Sequence, residues 1–523
     1  MLDQQFEANK SVSDKIIRNT IYNTAGTLWF TLIAIFLTPY IVWRIGHERF
    51  GIWAIVGVIT GYFGLLDFGI GSSFVKYIAE FYAKKEYDKI NRLINTGFVS
   101  YLIFAVCVIT LALFFIDPLL VFFKIPAGLC QEARFVFIVG IILFVSSNAL
   151  SPFGAIQGGL QRMDISNKIS VLISFCNIFG TVYFLEKGYG LRGLMINNAI
   201  IFCLSRIIHI TIAYRLLPGL RFNPLLLDKT IFKSLFGYGY KLQISRFASL
   251  VSFQTDKLLI TYFLGLGLVT FYQLGSSLIQ QVRQLALLLV SAFIPAVSEI
   301  EARKSKEYLR EFYLISSKYL IVVSLPLTFF TMLDSSLIMT AWMGKGYEMA
   351  ALVIRILATG YLAATVSGVA SAIAAGVAKT ELDMKFGILL ATLNLFLSIL
   401  LVIKMGFVGV VIGTTVSLIA ATVYYMRLFH RYMECPVSAF VKLLYKPLGA
   451  SAVAASATFI FNFIILKTMV SQSRIINVIV ILAGSGIFGF IYWHFIMASK
   501  YLNTYEKSFL SSKLPFLKHI LKS

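Results

Sequence analysis

Charge is what this sequence has least of. Asp, Glu, Lys and Arg make up only 13% of its 523 residues, where soluble domains carry roughly a quarter. Hydrophobic residues reach 58%, and mean hydropathy is +0.83. No stretch is long and polar enough to form a water-soluble domain. Histidine and cysteine are equally sparse, at five each. The cysteines (Cys107, Cys130, Cys176, Cys203 and Cys435) show no metal-ligand spacing and read as small buried hydrophobes. The histidines (His47, His209, His430, His494 and His519) are dispersed, no Asp-x-Asp occurs, and no loop could hold a catalytic domain. These absences argue against a membrane glycosyltransferase or polymerase, and no cofactor is expected. The polar opening "MLDQQFEANKSVSDKIIRNT" is not a short apolar run ending at a small-residue cleavage site. The first long apolar run is therefore expected to stay as a span.

Long apolar runs fill the rest. A helix needs about 20 mostly apolar residues to cross the hydrocarbon core. Spans are expected at 20–43, 50–78, 94–116, 134–156, 168–186, 191–214, 236–263, 268–297, 313–337, 349–376, 385–403, 407–428, 444–466 and 475–498. This predicts an all-α polytopic membrane protein with 14 transmembrane helices, which places both termini on one side. Of the 46 Lys and Arg residues, 28 fall on the terminal side and 10 on the other. Cations accumulate in cytoplasmic loops, so both termini are expected in the cytoplasm. The formal charge of +22 is spread along that face. Such a distribution suits anionic lipid heads and argues against nucleic acid. The tail "KSFLSSKLPFLKHILKS" is basic and amphipathic and is expected on the inner membrane surface.

The sequence also repeats itself. Shifted by 217 residues, "AIQGGLQRMDISNK" (155–168) falls on "AIAAGVAKTELDMK" (372–385), with glycines and charges in register. "NIF" at 177 then meets "NLF" at 394, and with one residue of slippage Gly190 and Gly193 fall on Gly406 and Gly409. An even number of spans separates the copies, so they share one orientation. The expected organisation is a segment 1–19, a six-helix bundle at 20–215, a second at 233–432, a helix pair at 444–498 and the tail 499–523. A substrate path is expected between the related halves.

Eight cations remain inside spans: Lys76, Arg206, Lys241, Arg246, Lys257, Arg283, Lys318 and Arg355. An ionised side chain at the bilayer centre costs at least about 2.5–3.5 kcal/mol, so such residues face a cavity or a partner, or snorkel outwards. In the seventh span Lys241, Ser245, Ser249, Ser252 and Asp256 share one helix face, and in the eighth Gln273, Ser276, Gln280 and Arg283 do so. Both stripes point to a wet lining. Asp256 and Lys257 are adjacent and diverge by about 100° on a helix, so they are not a side-by-side pair. The binding candidates are Lys241, Arg246, Ser249, Asp256, Lys257, Gln280, Arg283, Arg355 and Asp67. Their cationic excess favours an anionic cargo such as a phosphate or acidic sugar. Pro39, Pro152, Pro295 and Pro326 lie within spans and are expected to kink or weaken them.

Several stretches resemble bacterial polysaccharide and O-antigen flippases, the polysaccharide transporter branch of the multidrug/oligosaccharidyl-lipid/polysaccharide exporter superfamily. They are "RIGHERFGIWAIVGVITGYFGLLDFGIGSSFVKYIAEFYAK" (44–84), "QTDKLLITYFLGLGLVTFYQLGSSL" (254–278), "FIPAVSEI" (293–300), "WMGKGYEMAALVIRILATGYL" (342–362) and "KMGFVGVVIGTTVSL" (404–418). The resemblance implies two pseudo-symmetric six-helix bundles forming a V-shaped cavity, with two further helices. It implies movement of undecaprenyl-diphosphate-linked oligosaccharide from the cytoplasmic to the periplasmic leaflet of the bacterial inner membrane. Asp256 matches the family's aspartate in the seventh span, and Asp67 to Gly69 match a break in the second. The implied partners are the lipid-linked oligosaccharide, membrane lipids, and polysaccharide polymerase and chain-length machinery. Coupling to Na⁺, H⁺ or the membrane potential is compatible with this reading, and the sequence does not choose. A drug or ion antiporter on the same fold is the alternative.

Overall fold

A computed structural model describes residues 2–67, 70–223, 226–291, 306–377, 379–468, 473–503 and 506. These contain sixteen α-helices and no strand. In chain order they are α1 (Leu2–Phe63), α2 (Ile70–Ala83), α3 (Tyr87–Phe122), α4 (Cys130–Ala149), α5 (Ser151–Gly159), α6 (Met163–Glu186), α7 (Gly190–Leu216), α8 (Lys229–Leu264) and α9 (Leu266–Ser291). There follow α10 (Lys306–Leu333), α11 (Ser335–Trp342), α12 (Glu348–Val366), α13 (Gly368–Gly376), α14 (Thr380–Tyr432), α15 (Val437–Thr468) and α16 (Arg474–Ala498).

Helix length identifies the spans. At 1.5 Å per residue the 62 residues of α1 would run about 93 Å, three times the roughly 30 Å hydrocarbon core. Gly46 divides it with φ 81°, ψ 171°. Gly406, at φ 58°, ψ −134°, divides the 53-residue α14 in the same way. These backbone angles favour glycine, which has no Cβ to clash. Ten segments among the described residues are long and apolar enough to cross a membrane, and those in α1 and α14 each hold one of these breaks. Counting each divided segment twice and adding α8 (36 residues) and α9 (26 residues), which meet the length alone, gives fourteen among the described residues. Burial is inverted accordingly: Phe36, Phe114, Val121 and Phe179 are each at least 74% exposed, while Asn95, Ser317 and Asn394 are fully buried. This is a multi-pass membrane protein.

The chain forms two compact units, residues 1–270 and 271–523. In the first, α3 packs on α4, α6 on α7, α1 on α6, and α2 on α5 and α8. A core of Phe74, Ile90, Tyr101, Phe153, Ile156 and Leu235 lies where α2, α3, α5 and α8 meet. The linker between α7 and α8 is laid along the start of α3. Asn91 accepts from the Arg221 N–H (2.7 Å) and donates to the Gly219 carbonyl (3.0 Å). One turn on, Asn95 accepts from the Asn223 N–H and donates to the Arg221 carbonyl, both at 2.8 Å. Thr96 then accepts from the Asp228 N–H at 3.0 Å.

In the second unit α12 packs on α14, α10 on α12 and α15, and α15 on α16. Tyr313, Leu320, Ile373 and Phe429 centre one core, and Ala450, Phe488, Tyr492 and Ile496 centre another within the last helix pair, against Val322, Phe329 and Phe330 of α10. Buried Tyr313 reaches His430 Nε2 at 3.0 Å.

The repeat is visible in the element boundaries. At an offset of 217, the ends of α4 and α12 coincide (Ala149 and Val366), α5 maps onto α13 end to end, and the starts of α6 and α14 coincide (Met163 and Thr380). After the one-residue slip, Gly190 and Gly406 both adopt positive φ, 56° and 58°. Asn177 and Asn394 each hydrogen-bond the residue twenty further on, Asn197 and Thr414. Residues that chance similarity would leave unrelated thus end helices and turn the chain at the same places.

Candidate functional site

In the first unit the candidate side chains cluster on α8. Its start is fixed by Asp228, whose carboxylate accepts from the N–H groups of Thr230 (2.8 Å) and Ile231 (3.2 Å). The Ile231 N–H first, then the Thr230 N–H and Arg92, hold this carboxyl below the ordinary aspartate range. Lys241, Arg246 and Ser249 lie on the helix that follows, but their side chains fall outside the described residues. Ser252 and Asp256, the far end of the polar stripe, are enclosed by protein.

Lys257 is buried, at 8% exposure, and its ammonium donates to Gln254 Oε1 at 2.7 Å, one turn back. That partner is neutral, so the bond satisfies one N–H without cancelling the charge. Next to them Thr255 Oγ1 meets Tyr62 OH of α1 at 2.6 Å. Asp67 ends a 3₁₀ turn, Gly64–Asp67, that interrupts the second span between α1 and α2. Of the break from Asp67 to Gly69 that the resemblance implies, only the backbone of Asp67 is described; its side chain and residues 68 and 69 lie outside the described residues.

In the second unit, Arg283 of α9 lines a cavity of about 340 Å³ with Leu287, Ser367, Ser371, Asp383 and Tyr425. Its guanidinium sits over the Tyr361 ring of α12, 5.9 Å from the centroid, within the range of cation–π attraction. The Nε of Arg283 is buried with no hydrogen-bond partner among the described residues. Across the cavity Ser371 Oγ donates to Asp383 Oδ1 at 3.0 Å. One guanidinium, one carboxylate and several hydroxyls therefore share a pocket with apolar walls. A buried Nε–H without an acceptor is an expensive state, and an anionic group entering the cavity would relieve it.

The remaining candidates are dispersed. Gln280 lies one turn before Arg283 on α9, is half-buried, and does not line this cavity. Arg355 is exposed on α12, its Nε donating to Ser335 Oγ at 2.8 Å and its other arm to Ser336 Oγ, in the first turn of α11. That bond ties two helices together, away from Arg283. Lys318 is held by Glu506 at 2.6 Å, and Arg206 donates to Ser147 Oγ at 2.7 Å. Sequence reasoning missed Asp383, Ser371 and Tyr425. Asp383 lies just before the expected span 385–403; α14 begins at Thr380, which brings the carboxylate into the helix.

Two related sets of helices, many apolar spans and cations inside them are the features of a polytopic protein of the transporter type, and comparison with known proteins agrees. The chain superposes on lipid II flippase MurJ in an inward closed conformation with a TM-score of 0.64 at 15% identity, covering 92% of this chain and 98% of that one. It superposes on an inward-facing MATE family multidrug resistance transporter of the MOP superfamily at 0.63 and 16% identity, covering 81% and 96%. At these identities the likeness establishes the fold. In sequence, a Shigella flexneri protein named "Putative O-antigen transporter" is 24% identical over 339 residues, 64% of this chain and 78% of that protein. Residues 16–301 match the family described as "Polysaccharide biosynthesis protein". The chain belongs to that family, and the relatives and fold neighbours just described are transporters and flippases rather than enzymes.

Proposed function

We propose that this protein is a flippase that carries undecaprenyl-diphosphate-linked oligosaccharide repeat units from the cytoplasmic to the periplasmic leaflet, supplying assembly of an O-antigen, capsule or exopolysaccharide. The observation that carries this reading is Arg283: a half-buried guanidinium whose Nε is buried without a hydrogen-bond partner among the described residues, lining a cavity in a member of a polysaccharide biosynthesis family. Diphosphate presents the oxygens that a guanidinium binds best. Lys257 offers a buried cation in the other unit. Transport by alternating access needs only that the charged head interact differently with two conformations of the chain, while the polyprenyl tail remains in lipid. The protein would lie in the bacterial inner membrane with both termini in the cytoplasm. Polymerase and chain-length proteins would take the delivered cargo, and Na⁺, H⁺ or the membrane potential would supply energy.

Deletion of the gene tests this reading. Accumulation of lipid-linked oligosaccharide on the cytoplasmic leaflet, reversed by the wild-type chain and not by Arg283→Glu, is the expected result. Unchanged polysaccharide and no accumulation would refute it. One observation favours a second reading: Asp383 places a carboxylate in the same cavity, as export of a small cation would require. In that case Arg283→Glu would leave transport intact or improve it.

A further inference from the structure

The helix pair α15–α16 meets α10 and α11 at a buried polar cluster that the flippase reading does not use. Asp334, in the joint between α10 and α11, is 3% exposed. Its Oδ1 accepts from Asn462 Nδ2 of α15 at 2.6 Å. That bond fixes the amide orientation, because a flipped amide would place oxygen against carboxylate. Three buried oxygens then remain without a hydrogen-bond partner among the described residues: Asp334 Oδ2, Asn462 Oδ1 and Thr458 Oγ1. Asn462 and Thr458 are 5% and 0% exposed.

The first two of these oxygens converge. A Cβ built on Gly484 of α16 would lie 3.3 Å from Asn462 Oδ1 and 3.7 Å from Asp334 Oδ2, with the Thr458 methyl carbon at 3.3 Å. Glycine therefore leaves a small space that both oxygens face, and Thr458 stands one helical turn from Asn462 on the same side of α15. A bound water could satisfy these oxygens but could not balance the carboxylate. No Lys, Arg or His nitrogen among the described residues forms an ion pair with Asp334, and Arg355 is committed to Ser335 and Ser336.

We propose that Asp334 Oδ2 and Asn462 Oδ1 form a binding site for one Na⁺ ion at the junction of α10, α11, α15 and α16. A carboxylate and an amide carbonyl are hard oxygen donors of the kind that alkali and alkaline-earth cations take. A single negative charge selects a monovalent ion, since a divalent one would leave a buried positive charge. The space opened by one missing methyl selects a small ion, Na⁺ over K⁺. A bound ion bridges α10–α11 to α15 and thereby fastens the terminal helix pair. The inference does not rest on the cargo.

The test uses the full-length purified protein. Its thermal midpoint is followed along a Na⁺ series at constant ionic strength, with K⁺ and choline series as controls, alongside equilibrium binding of radiolabelled Na⁺. Because ion binding to the folded state alone stabilises it by mass action, the midpoint should rise with Na⁺ and stay flat with K⁺ and choline. One labelled ion should bind per chain. Asp334→Asn should abolish both effects. Gly484→Ala, whose methyl fills the space with only tight van der Waals contacts, should abolish them while the chain still folds. No bound label and a midpoint indifferent to Na⁺ would overturn the proposal. So would a midpoint that follows pH through Asp334 but ignores Na⁺, which would make the site a proton site, and so would Na⁺ binding that survives Gly484→Ala.

Discussion

Replacing Lys318 by Met should cost more than any other single loss of charge described here. The Lys318 ammonium lies 2.6 and 2.8 Å from the two Glu506 oxygens, and the side chains are 15% and 8% exposed. Tyr319 OH (3.0 Å) and the Asn503 N–H (2.7 Å) complete the carboxylate's shell. Removing one partner of a buried pair leaves an uncompensated charge and costs about 3–5 kcal/mol. The retained bonds from Tyr319 and Asn503, together with residual exposure, place the expected loss near the lower end, about 3 kcal/mol. Glu506→Gln should cost less, because an unpaired lysine can extend its long stem towards water. Lys318→Met with Glu506→Gln should be milder than Lys318→Met alone. Unfolding midpoints of the four proteins in detergent form the required double-mutant cycle. The sign of the pH dependence is fixed as well. Burial opposes the Glu506 carboxylate, but bonds from Lys318, Asn503 and Tyr319 outweigh it and hold its pKa below the ordinary glutamate value. Its contribution is therefore present above the unfolded-state pKa and is lost as pH falls through the lower, folded-state value. A Lys318→Met protein within about 0.5 kcal/mol of wild type, the range of an unremarkable surface change, would refute this reasoning.

Other consequences follow from backbone and linker. Gly406→Ala forces a Cβ into φ 58°, ψ −134°, and the midpoint should fall by the equivalent of about 1–3 kcal/mol. Asn95→Ala leaves the Asn223 N–H and the Arg221 carbonyl without this partner; a loss of about 1–3 kcal/mol and faster proteolysis between α7 and α8 are expected. Asp228→Ala removes the cap of α8 and should cost about 1 kcal/mol, while Asp228→Asn, which can still accept those N–H groups, should cost less.

Much of the fold was legible because membrane spans are written in hydropathy and length. Each of the fourteen expected spans falls on helix among the described residues, and the 217-residue repeat recurs in the nine-residue helices α5 and α13. What was not legible is where helices break inside a span. The breaks before Ser151 and Gly368 lie in runs as apolar as their surroundings, and they follow from packing. Proline was an uneven guide: Pro152 stands at a break, whereas α1 and α10 continue through Pro39 and Pro326, and Pro295 lies outside the described residues. The site was legible as a set of residue types, not as a place. Arg283 was identifiable from its polar stripe, but Asp383 and Tyr425 join it only through the folding of α13 and α14. Arg355, like Arg283 a cation inside an expected span but without a polar stripe, binds two serines, because α11 starts beside it. Charge inside a span marks a constraint, and only the neighbours show whether it is structural or functional.

The central claim is that this chain moves an anionic lipid-linked glycan across a bilayer with the help of cations inside its spans. The most direct measurement is leaflet exchange of an undecaprenyl-diphosphate-linked oligosaccharide in vesicles reconstituted with purified protein. The account predicts exchange faster than in protein-free vesicles and slowed at least tenfold, about 1.4 kcal/mol, by Arg283→Gln, with Arg283→Lys in between. Exchange no faster than in empty vesicles, or unaltered by Arg283→Gln, would contradict it.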